Sequence, residues 1–134
     1  MYQFETKIRV RYADTDQMKY VYYGNYARYF EIGRVESLRN LGLTYRELEE
    51  MGVMMPVLEN NSKYLAPALY DELLTIVTTI KEKPGVRIKF DYEIKNESGK
   101  VIHLGETLLV FVNMQTGRPC KMPEVMEKIL ASYF

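Results

Sequence analysis

Residues 12–26 read YADTDQMKYVYYGNY and join a strand-like segment to a helical one. Before this stretch, residues 6–12 alternate between apolar and basic side chains, with Tyr12 on the apolar face, which is typical of a half-buried strand. After it, residues 25–41 carry one stripe at three-and-four spacing. The stripe consists of Tyr26, Tyr29, Phe30, Gly33 and Ser37. Flanking apolar residues widen it, which predicts a helix embraced by other structure.

Two further features of the helical segment make structural predictions. Arg28, Glu31 and Arg34 lie three residues apart, which predicts an exposed strip on which their charges pair. Gly33 costs about 1 kcal/mol inside a helix relative to alanine. Its presence therefore predicts that a strand or a partner backbone approaches the helix closely there.

The rest of the chain predicts a short helix, four more strands and a terminal helix. Thr44 and Glu47 form a capping-box pattern that opens the short helix at 45–51. The strands are expected at 53–64, 72–81, 86–95 and 101–113, and the terminal helix at 124–133. Because short turns join the last three strands, these form an antiparallel meander. The inventory indicates an α+β fold in which one helix covers a five-stranded antiparallel sheet, expected in an oligomer.

Composition excludes several functional classes. The chain has 134 residues, which is the size of one domain spanning 1–134, and its 18 basic and 18 acidic residues balance, which disfavours a nucleic-acid partner. One cysteine, Cys120, and one histidine, His103, are too few for a disulfide or a zinc site, so no metal is expected. No signal peptide or membrane span is recognisable, so we expect a cytoplasmic protein.

Two carboxylates, Asp14 and Asp16, precede the long helix. Carboxylates in such a place usually cap the helix. Asp16, however, lies nine residues before Asn25, which is too far for an ordinary cap, so Gly24 or Asn25 is the better cap candidate. The spacing leaves Asp16 available for chemistry.

The motif around these carboxylates resembles the signature of the 4-hydroxybenzoyl-CoA thioesterase family, the acyl-CoA thioesterases of the hotdog fold. That signature is a strand ending in Tyr-x-Asp-Thr-Asp, then Tyr-[His or Tyr]-x-Asn-Tyr and Phe-x-x-x-Arg. The matching positions are Tyr12, Asp14, Thr15, Asp16, Tyr22, Tyr23, Asn25, Tyr26, Phe30 and Arg34. The segment 64–73 and the turn 117–119 resemble the family as well. The family's spacer after the catalytic aspartate is small, whereas residues 17–19 here are bulkier.

The resemblance implies a hotdog fold, in which a five-stranded antiparallel sheet is wrapped around one long central helix. It also implies that Asp16 is catalytic, as nucleophile or general base, and that the N–H of Tyr23 polarises the thioester carbonyl. Asn25 and Tyr26 are then expected to bind substrate. The implied substrate is an acyl-CoA, so coenzyme A is part of the substrate and no separate cofactor is expected. The implied assembly is a homodimer or a homotetramer with its active sites between subunits.

Alternative functions remain open at this point. Acyl carrier protein can replace coenzyme A as the thioester carrier, and a hotdog module can bind an acyl ligand or support assembly without catalysis. A serine hydrolase is disfavoured because the chain lacks a G-x-S-x-G motif and has a single histidine. His103 lies in the middle of a predicted strand, which favours a structural role for it.

Overall fold

A long helix packs against one face of an antiparallel sheet in the computed structural model, which describes all residues 1–134. The helices are α1 (Tyr26–Asn40), α2 (Tyr45–Glu50) and α3 (Glu124–Leu130). The strands are β1 (Tyr2–Arg9), β2 (Val53–Met54), β3 (Val57–Tyr64), β4 (Leu73–Ile80), β5 (Arg87–Lys95), β6 (Val101–Val110) and β7 (Val112–Asn113). Five of the strands form one sheet in the order β1-β4-β5-β6-β3, which confirms the predicted hotdog architecture.

The order of the strands follows from their connections. Short turns link β4, β5 and β6, which therefore form the predicted antiparallel meander. The strand β1 pairs with β4 at one edge of the sheet, and β3 pairs with β6 at the other. The strand β6 lies between β5 and β3, an interior position that suits its apolar residues on both faces.

The close approach predicted at Gly33 is present between α1 and β4. A Cβ atom at this glycine would lie 2.5 Å from Oγ1 of Thr78 and 3.0 Å from a methyl carbon of Ile76. Only a residue without a side chain fits that separation of helix and strand. The glycine therefore sets how deeply α1 sits against the sheet.

Two predicted strands are each interrupted. Pro56 divides the segment 53–64 into β2 and β3, because proline has no N–H to donate to a ladder. The segment 101–113 divides at Phe111 into β6 and β7, and β7 pairs with β2 in a separate two-stranded sheet. The short helix α2 begins as predicted, since Oγ1 of Thr44 accepts the N–H of Glu47 at 3.1 Å.

The structure corrects two predictions about which side chains are exposed. Tyr12 is 79% exposed, because β1 ends at Arg9 and Tyr12 lies in a 3-10 turn beyond it. Arg34 does not belong to an exposed strip but is only 6% exposed. Its guanidinium donates to the hydroxyls of Tyr92 at 3.0 Å and Tyr45 at 3.2 Å, which satisfy it inside the protein. None of the helices combines the length and apolar character needed to cross a membrane.

We predict that Gly33→Ala destabilises the fold by about 1–3 kcal/mol, because the new methyl group overlaps Thr78 unless α1 moves away from β4. Urea denaturation followed by circular dichroism measures the change. Gly85→Ala is the matched control, since a Cβ atom there meets nothing within 4 Å. Equal free energies of unfolding for the two variants would contradict the role assigned to Gly33.

Candidate active site

Residues 15–21 fold back on themselves between β1 and α1. Thr15 and Val21 form an antiparallel bridge, and the N–H of Asp16 donates to the carbonyl of Tyr20 at 2.9 Å. The turn closes with a hydrogen bond from the N–H of Lys19 to the carbonyl of Asp16, also at 2.9 Å. Lys19 adopts a left-handed backbone with φ of 65°, so a bulky residue occupies a position that favours glycine. Asp16 is thereby fixed at the first corner of a tight loop.

The carboxylate of Asp14 is buried and holds the base of this loop. One of its oxygens, Oδ2, accepts the N–H of Arg11 and the hydroxyl of Tyr29, each at 2.9 Å. The other oxygen forms an ion pair with Arg28. Burial by itself raises the pKa of the Asp14 carboxyl, but these donors and the positive charge of Arg28 together hold that pKa below its ordinary value.

The backbone of Asp14 also fixes the start of the helix. Its carbonyl accepts the N–H of Tyr22 at 2.9 Å and the side-chain amide of Asn25 at 2.8 Å. Asn25 therefore does not cap α1 with its side chain, contrary to the cap prediction, and the helix is preceded by a 3-10 turn from Tyr23 to Asn25. The Asn25 side chain is used instead to tie the helix start to the loop.

The side chain of Asp16 is half-buried and lies in the wall of a pocket of about 400 Å³. Its Oδ1 accepts the N–H of Met18 at 2.9 Å, and Oδ2 makes no hydrogen bond within the chain. Nine further residues line the pocket: Met18, Tyr20, Val21, Tyr23, Tyr26, Tyr64, Leu65, Ala66 and Pro67. Asp16 is the only charged residue among them, so a carboxylate with a free oxygen faces an apolar, tyrosine-rich cavity.

Unpaired backbone donors lie at the same place. The N–H groups of Tyr23 and Gly24, at the opening turn before α1, donate to no acceptor within the chain. Free N–H groups at a helix start, together with the helix dipole, stabilise negative charge. The side chain of Tyr23 is 65% exposed, and its carbonyl accepts the Tyr64 hydroxyl at 3.3 Å. One pocket thus contains a free hydrogen-bond acceptor, Oδ2 of Asp16, and lies at a free donor, the N–H of Tyr23.

Aromatic rings form the inner end of the pocket. Tyr26 is 3% exposed and meets the ring of Tyr64 edge-on at 5.5 Å between centroids. The ring of His103 stacks on Tyr26 at 3.8 Å and is itself fully buried. Nε2 of His103 lies 3.1 Å from the Ser62 hydroxyl, and Nδ1 has no partner. Burial lowers the pKa of His103 to about 4, so the ring is neutral at physiological pH.

The structure brings together three of the four residues that the sequence assigned to the site. Asp16, Tyr23 and Tyr26 share the pocket wall, whereas Asn25 is not part of that wall and its substrate-binding role stays a prediction. The segment 64–67 was not assigned to the site from sequence. The resemblance of residues 64–73 to the family motif was the one feature of the sequence that pointed to this segment. Backbone pairing of Val21 with Ala68 and of Tyr20 with Leu69 brings that segment to the loop.

A larger depression on the sheet does not offer this combination of groups. It has a volume of about 640 Å³ and is lined mostly by polar and charged side chains, and Asp16 is not among them. No group of three His, Cys, Asp or Glu side chains is arranged to hold a metal ion. The combination of one carboxylate, free N–H groups and apolar walls is found at the start of α1.

The sequence matches the thioesterase-like superfamily over residues 10–130. The chain belongs to this superfamily. The thioesterase is 31% identical over 121 residues to the acyl-CoA thioester hydrolase YbgC of Escherichia coli, with 90% of each chain covered. It is 33% identical over 119 residues to YneP of Bacillus subtilis, provisionally named an acyl-CoA thioesterase, covering 89% of this chain and 86% of YneP.

A solved structure agrees with these sequence relatives. The thioesterase superposes on the DHNA-CoA thioesterase from Staphylococcus aureus with a TM-score of 0.87 and 31% identity. The match covers 99% of this chain and 87% of the other. The resemblance to the hotdog thioesterases is confirmed, and so is the expected enzyme class, a thioester hydrolase.

We predict that Asp14→Asn lowers the free energy of unfolding of this thioesterase by about 2–4 kcal/mol, because an amide cannot accept all the donors that meet the buried carboxylate. Chemical denaturation measures the loss. Asp16→Asn is the matched control, with an expected change below about 0.5 kcal/mol, since its Oδ1 still accepts from Met18. Similar losses in the two variants would contradict the structural role of Asp14.

We predict that His103 makes the stability of the thioesterase fall as the pH is lowered. The unfolded chain binds a proton at this residue near pH 6.5, whereas the folded chain binds it only near pH 4. The stabilisation is therefore complete above pH 6.5 and decreases below it, by about 2 kcal/mol between pH 7.5 and pH 5.

The measurement is the free energy of unfolding of wild type and His103→Phe at both pH values. Because the chain has a single histidine, the difference between the two proteins isolates this group. We expect the variant to lose less stability than wild type on acidification. Parallel pH profiles would show that the folded protein binds the proton as readily as the unfolded chain.

Proposed function

We propose that this protein is an acyl-CoA thioesterase that hydrolyses the thioester with Asp16 as its catalytic carboxylate. The observation that carries the proposal is the shared pocket, in which the free Oδ2 of Asp16 and the unpaired N–H of Tyr23 occur among apolar walls. Acyl-CoA is supported as substrate by the acyl-CoA thioester hydrolase YbgC and by the DHNA-CoA thioesterase, to both of which the chain is similar.

The two polar groups match the two requirements of thioester hydrolysis. The carbonyl oxygen of the substrate accepts the N–H of Tyr23, which stabilises the negative charge that develops as the carbonyl carbon is attacked. Asp16 either attacks that carbon itself, giving a mixed anhydride that water then hydrolyses, or removes a proton from an attacking water.

The products and the needed components follow from this chemistry. In both routes the carbon–sulfur bond breaks, one water molecule is consumed to give the free acid, and coenzyme A leaves as a thiolate that takes up a proton. A thiolate leaves without a dedicated general acid, so the single buried His103 need not take part. The reaction requires no cofactor beyond the coenzyme A of the substrate.

The proposed assembly is a homodimer or homotetramer in the cytoplasm. The strand β3 is an edge strand, so one side of its backbone is free for pairing. Val57, Leu58 and Tyr64 of this strand are exposed apolar or aromatic side chains, which a second subunit can cover. Because Tyr64 also lines the pocket of Asp16, pairing along this edge places the active site next to the partner.

We predict that Asp16→Asn lowers kcat for acyl-CoA hydrolysis by about 10²–10⁴-fold, since an amide neither attacks the carbonyl nor accepts a proton. A thiol-release assay over short-chain, long-chain and aromatic acyl-CoAs measures the loss, with acyl carrier protein thioesters as the competing substrates. Asp71→Asn is the matched control, because Asp71 lies outside the pocket and its left-handed φ of 68° suits asparagine.

Two outcomes of this assay would contradict the proposal. Release by Asp16→Asn at the wild-type rate would remove Asp16 from the mechanism. Equal, near-zero release by both proteins, together with tight acyl-CoA binding, would favour a non-catalytic hotdog module that binds acyl ligands.

A further inference from the structure

The Asp16 pocket has an aromatic wall made of Tyr26, which is buried, and Tyr64, which is 52% exposed. Both rings contact His103, at 3.8 Å and 4.8 Å between centroids. His103 does not line the pocket and is fully buried behind the two tyrosines. An acyl chain that passes Tyr26 therefore meets the imidazole next.

The space behind His103 is also filled. Phe30 lies 5.5 Å from the imidazole and stacks on Tyr92 at 4.3 Å. The Phe30 ring also presses on the backbone of Gly105, where a Cβ atom would lie 2.1 Å from a ring carbon. Helix and sheet are separated here by the thickness of one aromatic ring, so no channel continues between them.

The next layer is polar and equally closed. Arg34 lies one helical turn beyond Phe30 and donates to the hydroxyls of Tyr92 at 3.0 Å and Thr107 at 3.4 Å. A chain that displaced Phe30 would reach a buried cation and its hydrogen-bond partners. An apolar acyl chain in that layer would separate the buried guanidinium of Arg34 from its hydroxyl partners. Leaving a buried charge unpaired is strongly unfavourable.

We propose that His103 is a specificity-determining residue, which sets the longest acyl group that the pocket accepts by supporting the Tyr26 and Tyr64 wall. This inference rests on the proposed acyl-CoA thioesterase function. The acyl group is then a short straight chain or a single ring, because His103, Phe30 and the Arg34 layer fill the space behind the two tyrosines. The neutral imidazole suits this place, since it adds a flat ring without a charge behind an apolar wall.

The test measures binding rather than turnover. Calorimetry gives the affinity of Asp16→Asn for straight-chain acyl-CoAs from acetyl to palmitoyl. Each methylene group that enters the pocket tightens binding about fourfold. We expect the affinity to stop rising at octanoyl or at a shorter chain. A continued rise beyond octanoyl would overturn the proposal.

A second series of binding measurements tests whether His103 sets the chain length at which the affinity stops rising. In Asp16→Asn/His103→Ala, Tyr26 and Tyr64 can move into the vacated space, so we expect the affinity to rise with at least two further methylene groups. Asp16→Asn/His103→Phe keeps a ring at this position and is expected to keep the original limit. A limit that is the same in the alanine and phenylalanine variants would overturn the role of His103.

The two proposals fail in different ways. Absence of thiol release by wild type would contradict the proposed function, while the binding series would still show where the affinity stops rising. If the alanine variant proves unfolded by circular dichroism, His103→Val, which removes the ring but fills part of its volume, replaces it in the same series. The binding limit in the Asp16→Asn background does not depend on either variant.

Discussion

The candidate active site depends on the burial of one carboxylate, that of Asp14. The chain between β1 and α1 is sixteen residues long, from Val10 to Asn25, and only short 3-10 turns and isolated bridges order it. Asp14 gathers donors from both ends of this connection: Arg11 before it, and Arg28 and Tyr29 on the helix after it. Because an unpaired buried carboxylate is strongly unfavourable, all of these bonds have to form together. The loop that presents Asp16 is ordered as a consequence.

The second constraint is the fit of the helix to the sheet. Four residues of an α-helix rise about 6.0 Å, and two residues of a strand rise about 6.6 Å. Positions 26, 30 and 34 of α1 therefore step along β6 with positions 103, 105 and 107. The observed contacts follow that match: Tyr26 stacks on His103, Phe30 covers Gly105, and Arg34 bonds Thr107. Gly105 leaves room for the Phe30 ring between the two layers, and Gly33 lets α1 approach β4 closely.

Most of the fold can be predicted from the sequence because two periodicities determine it. The alternation in β5 and the three-and-four spacing in α1 appear directly as buried faces, and Gly33 indicates the close approach to β4. The local sequence pattern does not predict a side chain's environment where contacts with distant elements determine it. Arg34 has the spacing of an exposed charge, but hydroxyls from α2, β5 and β6 satisfy it inside. Asn25 has the position of a helix cap, but the carbonyl of Asp14 is the partner that its side chain finds.

The candidate site was predictable only in part, for the same reason. Asp16, Tyr23 and Tyr26 lie close in sequence, so one motif places them together. Tyr64 and the following residues come from the end of β3, about forty residues later. They reach the pocket through backbone pairing of Val21 with Ala68, which no local pattern reveals. His103 comes from a third element, the strand β6. Its contact with Tyr26 of the pocket wall depends on the register between α1 and β6.

The two aspartates of one short motif have contrasting environments, and the contrast suits the separate roles proposed for them. Asp14 ends a 3-10 turn, whereas Asp16 begins the tight turn closed by Lys19 and Tyr20, so the change of backbone conformation between them directs their side chains to different environments. The carboxylate of Asp14 is saturated by donors and has a lowered pKa, which makes it a stable anchor with no capacity for a substrate. Asp16 accepts a single N–H, from Met18, which orients the carboxylate and leaves Oδ2 free. A carboxylate that attacks a carbonyl or takes a proton needs such a free oxygen held in place. The first aspartate provides the rigidity, and the second can therefore remain under-coordinated without the loop losing its shape.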